Sequence, residues 1–261
     1  MTIVAHELRR GRASWFLWTG TIGFLLVLCI FLFPEMKGEM AGVNDLFSSM
    51  GSFTAAFGMD RLDFGTLSGF YAIECGNILG LGGAFYAALC AIGILCKEER
   101  ERTAEFLLSH PVSRRRVVSE KLLAALLQIL AMNLLLYALS AAAIAAIREP
   151  VPWQDLSLLH LAFCLLHLEL GCLCFGLSAF LRKGSLGAGL GLAAVLYFLH
   201  LIANITETAA FLDYVTPFAY CEGADILTSG SLDGTLLAIG SLFALLGLLA
   251  AYGKYTRKDI C

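Results

Sequence analysis

A few side chains interrupt long apolar runs in this sequence, and their types limit the chemistry open to it. His167 and Glu169 fall within LAFCLLHLELGCLCFGLSAF, and Asn133 falls within LLQILAMNLLLYAL. Ionisable or strongly polar groups in such runs are costly to bury and are functional candidates by default. Two readings stay open for the three. They line a substrate path, or they bind one another as a structural clamp. His167 and Glu169 lie about 200° apart on an ideal helix, so their spacing does not choose.

Other combinations look reactive and fail on spacing. Gly176-Leu177-Ser178-Ala179 reads G-x-S-x, and His200 follows in the next apolar run, as an intramembrane serine protease would require. Nucleophile and base need hydrogen-bond reach, about 2.6–3.2 Å. Ser178 sits within a turn of one end of its run, whereas His200 is about 14 residues, roughly 20 Å, above the start of its own. Gly176 and Ser178 therefore read as close-packing residues, like Gly187 and Gly191. The stretch from Gly247 to Tyr255 has one residue too many between its glycines for a phosphate loop, and Tyr where Ser or Thr is needed. Leu67-Ser68-Gly69-Phe70 begins like an ATPase signature but has no nucleotide domain around it. Cys172 and Cys174 lack zinc spacing and read as packing residues. No metal site and no bound cofactor are expected.

The elements holding these residues follow from composition. Of 261 residues 59% are apolar and only 15% charged, and mean hydropathy is +0.78. So little charge cannot cover a soluble core of this size, and a disordered chain or a secreted disulfide scaffold fits no better. The expected class is an all-α integral membrane protein. A spanning helix needs about 20 apolar residues. The intervals between charges predict six spans, roughly 14–33, 72–96, 122–147, 157–181, 185–203 and 235–253, in a single transmembrane domain over 1–261. The first follows an Arg-rich start but is too long for a signal-peptide core and has no small-x-small site after it, so it reads as an uncleaved helix.

Position gives the few charges meaning. Alternate sides of the six spans collect 15 of the 18 Lys and Arg, including Arg9, Arg10, Arg12, Lys97, Lys121, Arg182, Lys183 and Lys254. The other side holds Lys37, Arg61 and Arg148 with 12 acids. Cytoplasmic loops carry the basic excess, so both termini are expected in the cytoplasm. The overall charge of −3 gives no sign of a nucleic-acid partner. Of nine cysteines, Cys29, Cys90, Cys164, Cys172 and Cys174 fall inside spans. Cys221, with Cys75 less clearly, is expected on the oxidising side, so no disulfide framework is implied.

Between the spans, residues 2–12 place Ile3, Val4 and Leu8 among charges, which fits an amphipathic helix lying in the membrane interface. The loop KEERERTAEFLLSHPVSRRRVVSEK predicts a charged helix ended by Pro111, with Glu98 and Arg102 at i, i+4 and Phe106 beside acids. Ser113 is placed to cap the next helix. This is either a docking surface or a solvated charge run. On the other side, Leu46, Met50, Phe53 and Phe57 have helical spacing, and Phe211, Val215, Phe218 and Tyr220 surround Pro217. Both stretches predict short extracytoplasmic helices, forming a packed cap over the spans or a binding lid. His160, His200, Glu74 and Asn77 are expected near the outer ends, within reach of water.

In order and spacing these segments resemble the membrane permease subunits of ABC-2-type ATP-binding cassette transporters. The resemblance is carried by HELRR, by EERERTAEFLLSHPVSRRRVVSEKLLAAL, by TPFAYCEGADILTSGSLDG and by YTRKDI, and it covers nearly the whole chain. Its most specific part is Glu98, Glu99, Thr103, Glu105, Leu107, Leu108, Pro111, Val112, Ser113 and Arg114. It implies a permease, in a bacterial cytoplasmic membrane, that pairs with a second permease copy or homologue and with two cytoplasmic ATPase subunits. ATP and Mg²⁺ would sit on those subunits, and this chain would not itself be an enzyme. The loop between spans two and three would hold a cytoplasmic coupling helix, with Glu98, Glu99, Arg102, Thr103, Glu105, Phe106, Ser109, Pro111 and Arg114 as ATPase contacts. A non-transporting membrane anchor or immunity protein of the same fold is the alternative.

Overall fold

The computed structural model describes residues 2–37, 51–95, 97, 113–181 and 186–257. Among them six helices are long and apolar enough to cross a membrane. These are α1 (Thr2–Lys37), α3 (Leu67–Ile92), α4 (Arg114–Ala146), α5 (Trp153–Ser178), α6 (Leu186–Ile205) and α8 (Gly234–Arg257). Two short helices, α2 (Ser52–Ala56) and α7 (Gly223–Ser229), lie between them. No strand occurs among the described residues.

The clearest departure from the sequence expectation is α1. Residues 2–12 do not form a separate interface helix but continue without a break into the first span. Between Thr2 and Pro34 no proline interrupts the helix, and Gly11, which faces Gln128, is tolerated. At about 1.5 Å per residue such a helix exceeds a 30 Å hydrocarbon core, so its charged first turns project past the membrane. Its first amides are held by a neighbour, since the Glu120 carboxylate on α4 accepts from Ile3 N at 3.2 Å and Val4 N at 3.4 Å.

Helices α3 and α5 form the interior. Of the most apolar window of α5, 67% is buried, against 11% for α8. The α5 helix packs on α3, α4 and α8, while α1 lies on α4 and α6 lies on α3. The outward faces of α1, α6 and α8 present exposed Phe24, Phe31, Phe198, Leu242 and Leu249, as a lipid-facing surface requires.

Near its start α3 contains a π turn, Tyr71–Cys75. It carries the Tyr71 hydroxyl to Ser140 Oγ (2.8 Å) and His160 Nε2 (2.7 Å). His160 is thereby buried rather than water-accessible, and His200 is covered in the same way. Cys75 and Cys221 are also buried and free.

At one end of the bundle the start of α1, the end of α3, the start of α4 and the end of α5 converge. There Lys97 Nζ meets Glu7 at 2.7 Å. The fully buried Lys121 Nζ meets Glu7 at 3.5 Å and donates to Ile94 O at 2.5 Å. Ser178 Oγ accepts from Leu95 N at 3.0 Å. Ser113 caps α4 as expected, accepting from Arg116 N at 3.3 Å.

The opposite end carries Lys37–Glu149 (2.7 Å), Arg61–Asp225 and the segment from 206 to 233. Part of that segment is a cap. Phe218 and Tyr220 are buried, but Phe211 and Val215 are exposed, so the second half enters the bundle while the first half lies against α6 with its aromatic side chains outward. Of the other proposed stretch, Leu46 and Met50 lie outside the described residues; Phe53 is on α2, exposed, and stacks near Phe57.

Candidate functional site

The polar residues of α5 belong to two separate sites on opposite flanks of the helix. His167 turns toward α3 and α4. Its Nδ1 pairs with Asn133 Oδ1 at 3.0 Å and its Nε2 with Gly80 O at 3.3 Å. Asn133 Nδ2 donates to Ile129 O in its own helix at 2.9 Å. The imidazole fits because α3 is glycine-rich here: a Cβ on Gly83 would run into the ring, and one on Gly80 would press on Phe163. Phe163 in turn stacks on His167, with centroids 6.5 Å apart. Asn133 and His167 are both buried, and because both ring partners are oxygen acceptors a neutral imidazole donates to one of them and only contacts the other. This is the clamp reading, with Asn133 as the partner of His167. Glu169 takes no part in it.

Glu169 turns the other way, toward α8 and the outer segment. Tyr220 Oη donates to Glu169 Oε2 at 3.0 Å, and Ser241 Oγ to Oε1 at 3.3 Å. Tyr220 reaches this depth because Thr216 Oγ1 donates to Leu196 O at 2.8 Å, pinning the segment to α6 before Pro217 turns it inward. Gly240 makes room, since a Cβ there would collide with the carboxylate. Below Glu169 a cavity of ≈ 340 Å³ runs between α5, α6 and α8. Its walls are apolar, including Leu173, Leu192, Leu196 and Phe243, and Glu169 is the one ionisable side chain among them. Of the three candidates, Glu169 borders a cavity that could hold a ligand.

Outside the spans, Glu222 ties the outer segment to α6. Its Oε2 meets His200 Nε2 at 3.2 Å and accepts from Asn204 Nδ2 at 3.0 Å. Burial opposes its ionisation, but the bonds and charge from His200 and the bond from Asn204 prevail and hold its carboxyl below the usual range. Burial raises Asp213, which lies 4.0 Å from His200 Nδ1.

Of the expected coupling residues, Arg114 opens α4 at the end where Lys97 and Lys121 converge. Glu98, Glu99, Arg102, Thr103, Glu105, Phe106, Ser109 and Pro111 lie outside the described residues. The protease pair is not assembled: Ser178 is bonded to the backbone beyond α3, while His200 is bonded to Glu222 at the other end. Gly176 is a close-packing residue, set against the Gly247 backbone. Gly187 and Gly191 are not; both are exposed and Gly191 faces open space, while Gly189 makes the close approach of α6 to Ile92 and Ala88.

Sequence reasoning missed Tyr220, Ser241, Gly80 and Gly83 as partners. Only one signal pointed to them, namely that a buried carboxylate and a buried imidazole must each find donors or small neighbours somewhere in the chain. It also missed Glu7 and Lys121, an acid and a base that end up sharing one buried site.

Six apolar helices, charges gathered at the two ends and a few satisfied polar groups between them define a multi-pass membrane protein. The family model described as ABC-2 family transporter protein matches residues 1–260, so the chain belongs to that family, a membrane transport component that is not itself catalytic. Compared with curated proteins, the chain finds no match.

Proposed function

We propose that this chain is the permease subunit of an ATP-binding cassette exporter in a bacterial cytoplasmic membrane. It works as a pair with a second copy or homologue, and two cytoplasmic ATPase subunits drive it. The basic end of the bundle faces the cytoplasm, in keeping with the excess of Lys and Arg there. The loop 97–121 holds the coupling element, with Arg114 among its contacts. ATP and Mg²⁺ are held by the ATPases, and the whole chain acts as one transmembrane domain.

The observation that best supports this reading is the buried clasp at the end of the bundle where that loop is anchored. Lys97 and Lys121 stand on either side of residues 98–112, and both bond Glu7 of α1. Lys121 also holds the backbone at Ile94, just past α3. Three spans are thus tied together at the two roots of one loop, so a push on the loop moves α1, α3 and α4 together. A rigid connection of this kind is what transmission between two bundle arrangements requires.

Simultaneous reversal of Glu98, Glu99 and Glu105 to Lys is expected to abolish transport and stimulated ATP hydrolysis while leaving the thermal melt unchanged. Intact co-purification of an ATPase with that variant would overturn the docking assignment. An anchor or immunity role without transport predicts no ATPase association for the wild type either.

A further inference from the structure

We propose that the cleft between α5, α6 and α8 binds a hydrophobic amine, with its protonated head on Glu169 and its apolar body along the cleft. The volume of ≈ 340 Å³ is within the range of small-molecule sites. The cleft is built as a site for a ligand arriving from the lipid. Its inner wall is buried at Gly176, Gly240 and Pro217, whereas Phe180, Leu177 and Val215 on its rim are exposed. An amphiphile can therefore slide in sideways without crossing water.

Glu169 sets the sign of the ligand. It is 5% exposed, and no basic side chain pairs with it among the described residues. Its partners, Tyr220 and Ser241, are neutral hydroxyls, each occupying one oxygen. A carboxylate offers about four lone-pair positions, so acceptor capacity remains on both oxygens. A buried carboxyl lacking a counter-ion is costly to ionise, and a ligand that supplies the opposite charge offsets that cost. An ammonium head does so and also donates hydrogen bonds. An anionic head would be repelled, and a neutral polar head would leave the charge uncompensated. Gly240 keeps the carboxylate's approach clear, since any side chain there would occupy its place.

The proposal deepens the transport reading by naming a ligand chemistry, but it is tested without ATP. The full chain in nanodiscs of zwitterionic lipid would be titrated with tritiated dodecylamine at pH 7, with empty nanodiscs subtracted. Dodecanol and dodecanoate serve as neutral and anionic competitors. Saturable binding is expected, and Glu169→Gln should weaken it at least tenfold. Leu192→Trp, which fills the cleft from α6 and leaves the Glu169 bonds alone, should weaken it equally. Equal amine binding by wild type and Glu169→Gln, or equal competition by dodecanoate, overturns the proposal. If Glu169→Gln does not fold, full binding by Leu192→Trp overturns it instead. Loss of binding with normal ATPase coupling would reject the ligand alone. Normal binding with no ATPase association would reject the transport reading alone.

Discussion

His167 and Glu169 are two residues apart on α5, yet the two flanks of that helix are built on different terms. On the α3–α4 flank the imidazole is closed in on every side: Asn133 and Gly80 take its nitrogens, and Phe163 and Gly83 take its faces. On the α6–α8 flank the carboxylate is bonded but stands at the edge of an open apolar space. A buried polar group is therefore not by itself a sign of a transport path. One that has consumed all its partners and all the space near it is structural. One that keeps acceptor capacity beside a cavity remains available to a ligand. If this contrast is right, substitutions on the first flank should disturb stability, and those on the second should disturb binding.

The strongest test on the closed flank is Gly83→Leu, which drives a side chain into the His167 ring. Overpacking of a tight interior costs about 1–3 kcal/mol and sometimes more. A large fall in the melting temperature is expected, read from the accessibility of buried thiols such as Cys174 to a fluorogenic dye. A melt equal to wild type would mean that His167 has room to move, and the contrast would fail.

Asn133→Ala should come next. It leaves Nδ1 of His167 buried without its partner, and a lost bond of this kind costs about 1–3 kcal/mol. Measured side-chain bonds between membrane helices average about 0.6 kcal/mol, so the lower part of that range is expected. Glu169→Gln on the open flank keeps an acceptor for one hydroxyl and should shift the same melt less. Equal shifts would erase the distinction.

A smaller effect is expected at the outer end, where Glu222 fastens the outer segment to α6. Its carboxyl titrates below the usual range in the folded protein. Its ionised form therefore contributes stability that is complete above the ordinary glutamate value and is lost as pH falls through the depressed one. The difference in melting temperature between wild type and Glu222→Gln should be present at pH 6 and shrink on acidification below about pH 4. A difference that stays constant with pH would show that the charge on Glu222 does not hold the segment.

The sequence makes legible whatever depends on long apolar intervals. Six helices of spanning length fall on the six gaps between charges, because exclusion of charge from hydrocarbon acts on every residue in the interval. The same reasoning placed a boundary after residue 12, where the helix in fact runs on; charge says where the membrane ends, not where the helix does. The site is half legible. Glu169, His167 and Asn133 stand out as polar residues in apolar runs, but their spacing does not say which of them bond one another. What they touch is not legible. Tyr220 lies 51 positions from Glu169, and no periodicity links a turn in an outer loop to the middle of a span. Gly83 and Gly191 look alike in sequence, although one accommodates an imidazole and the other faces open space.

That pair of glycines gives the smallest effect and isolates packing from propensity. A methyl group on Gly191 meets nothing within 4 Å, so Gly191→Ala changes only the backbone freedom of α6. Replacing glycine by alanine within a helix favours the helix by about 0.5–1 kcal/mol in water. In lipid, where the unfolded reference already holds its backbone bonds, the gain should be smaller but of the same sign. The isolated chain should therefore melt at the same or a slightly higher temperature, in contrast to the loss expected from Gly83→Leu. The exposed face of α6 is also open to a second permease copy, because small residues let membrane helices approach closely. The dimer fraction in nanodiscs would be measured beside the melt. An unchanged dimer fraction places that face against lipid. A loss of dimer with an intact melt places the second copy on it, and the cleft beside α6 would then lie next to the subunit boundary.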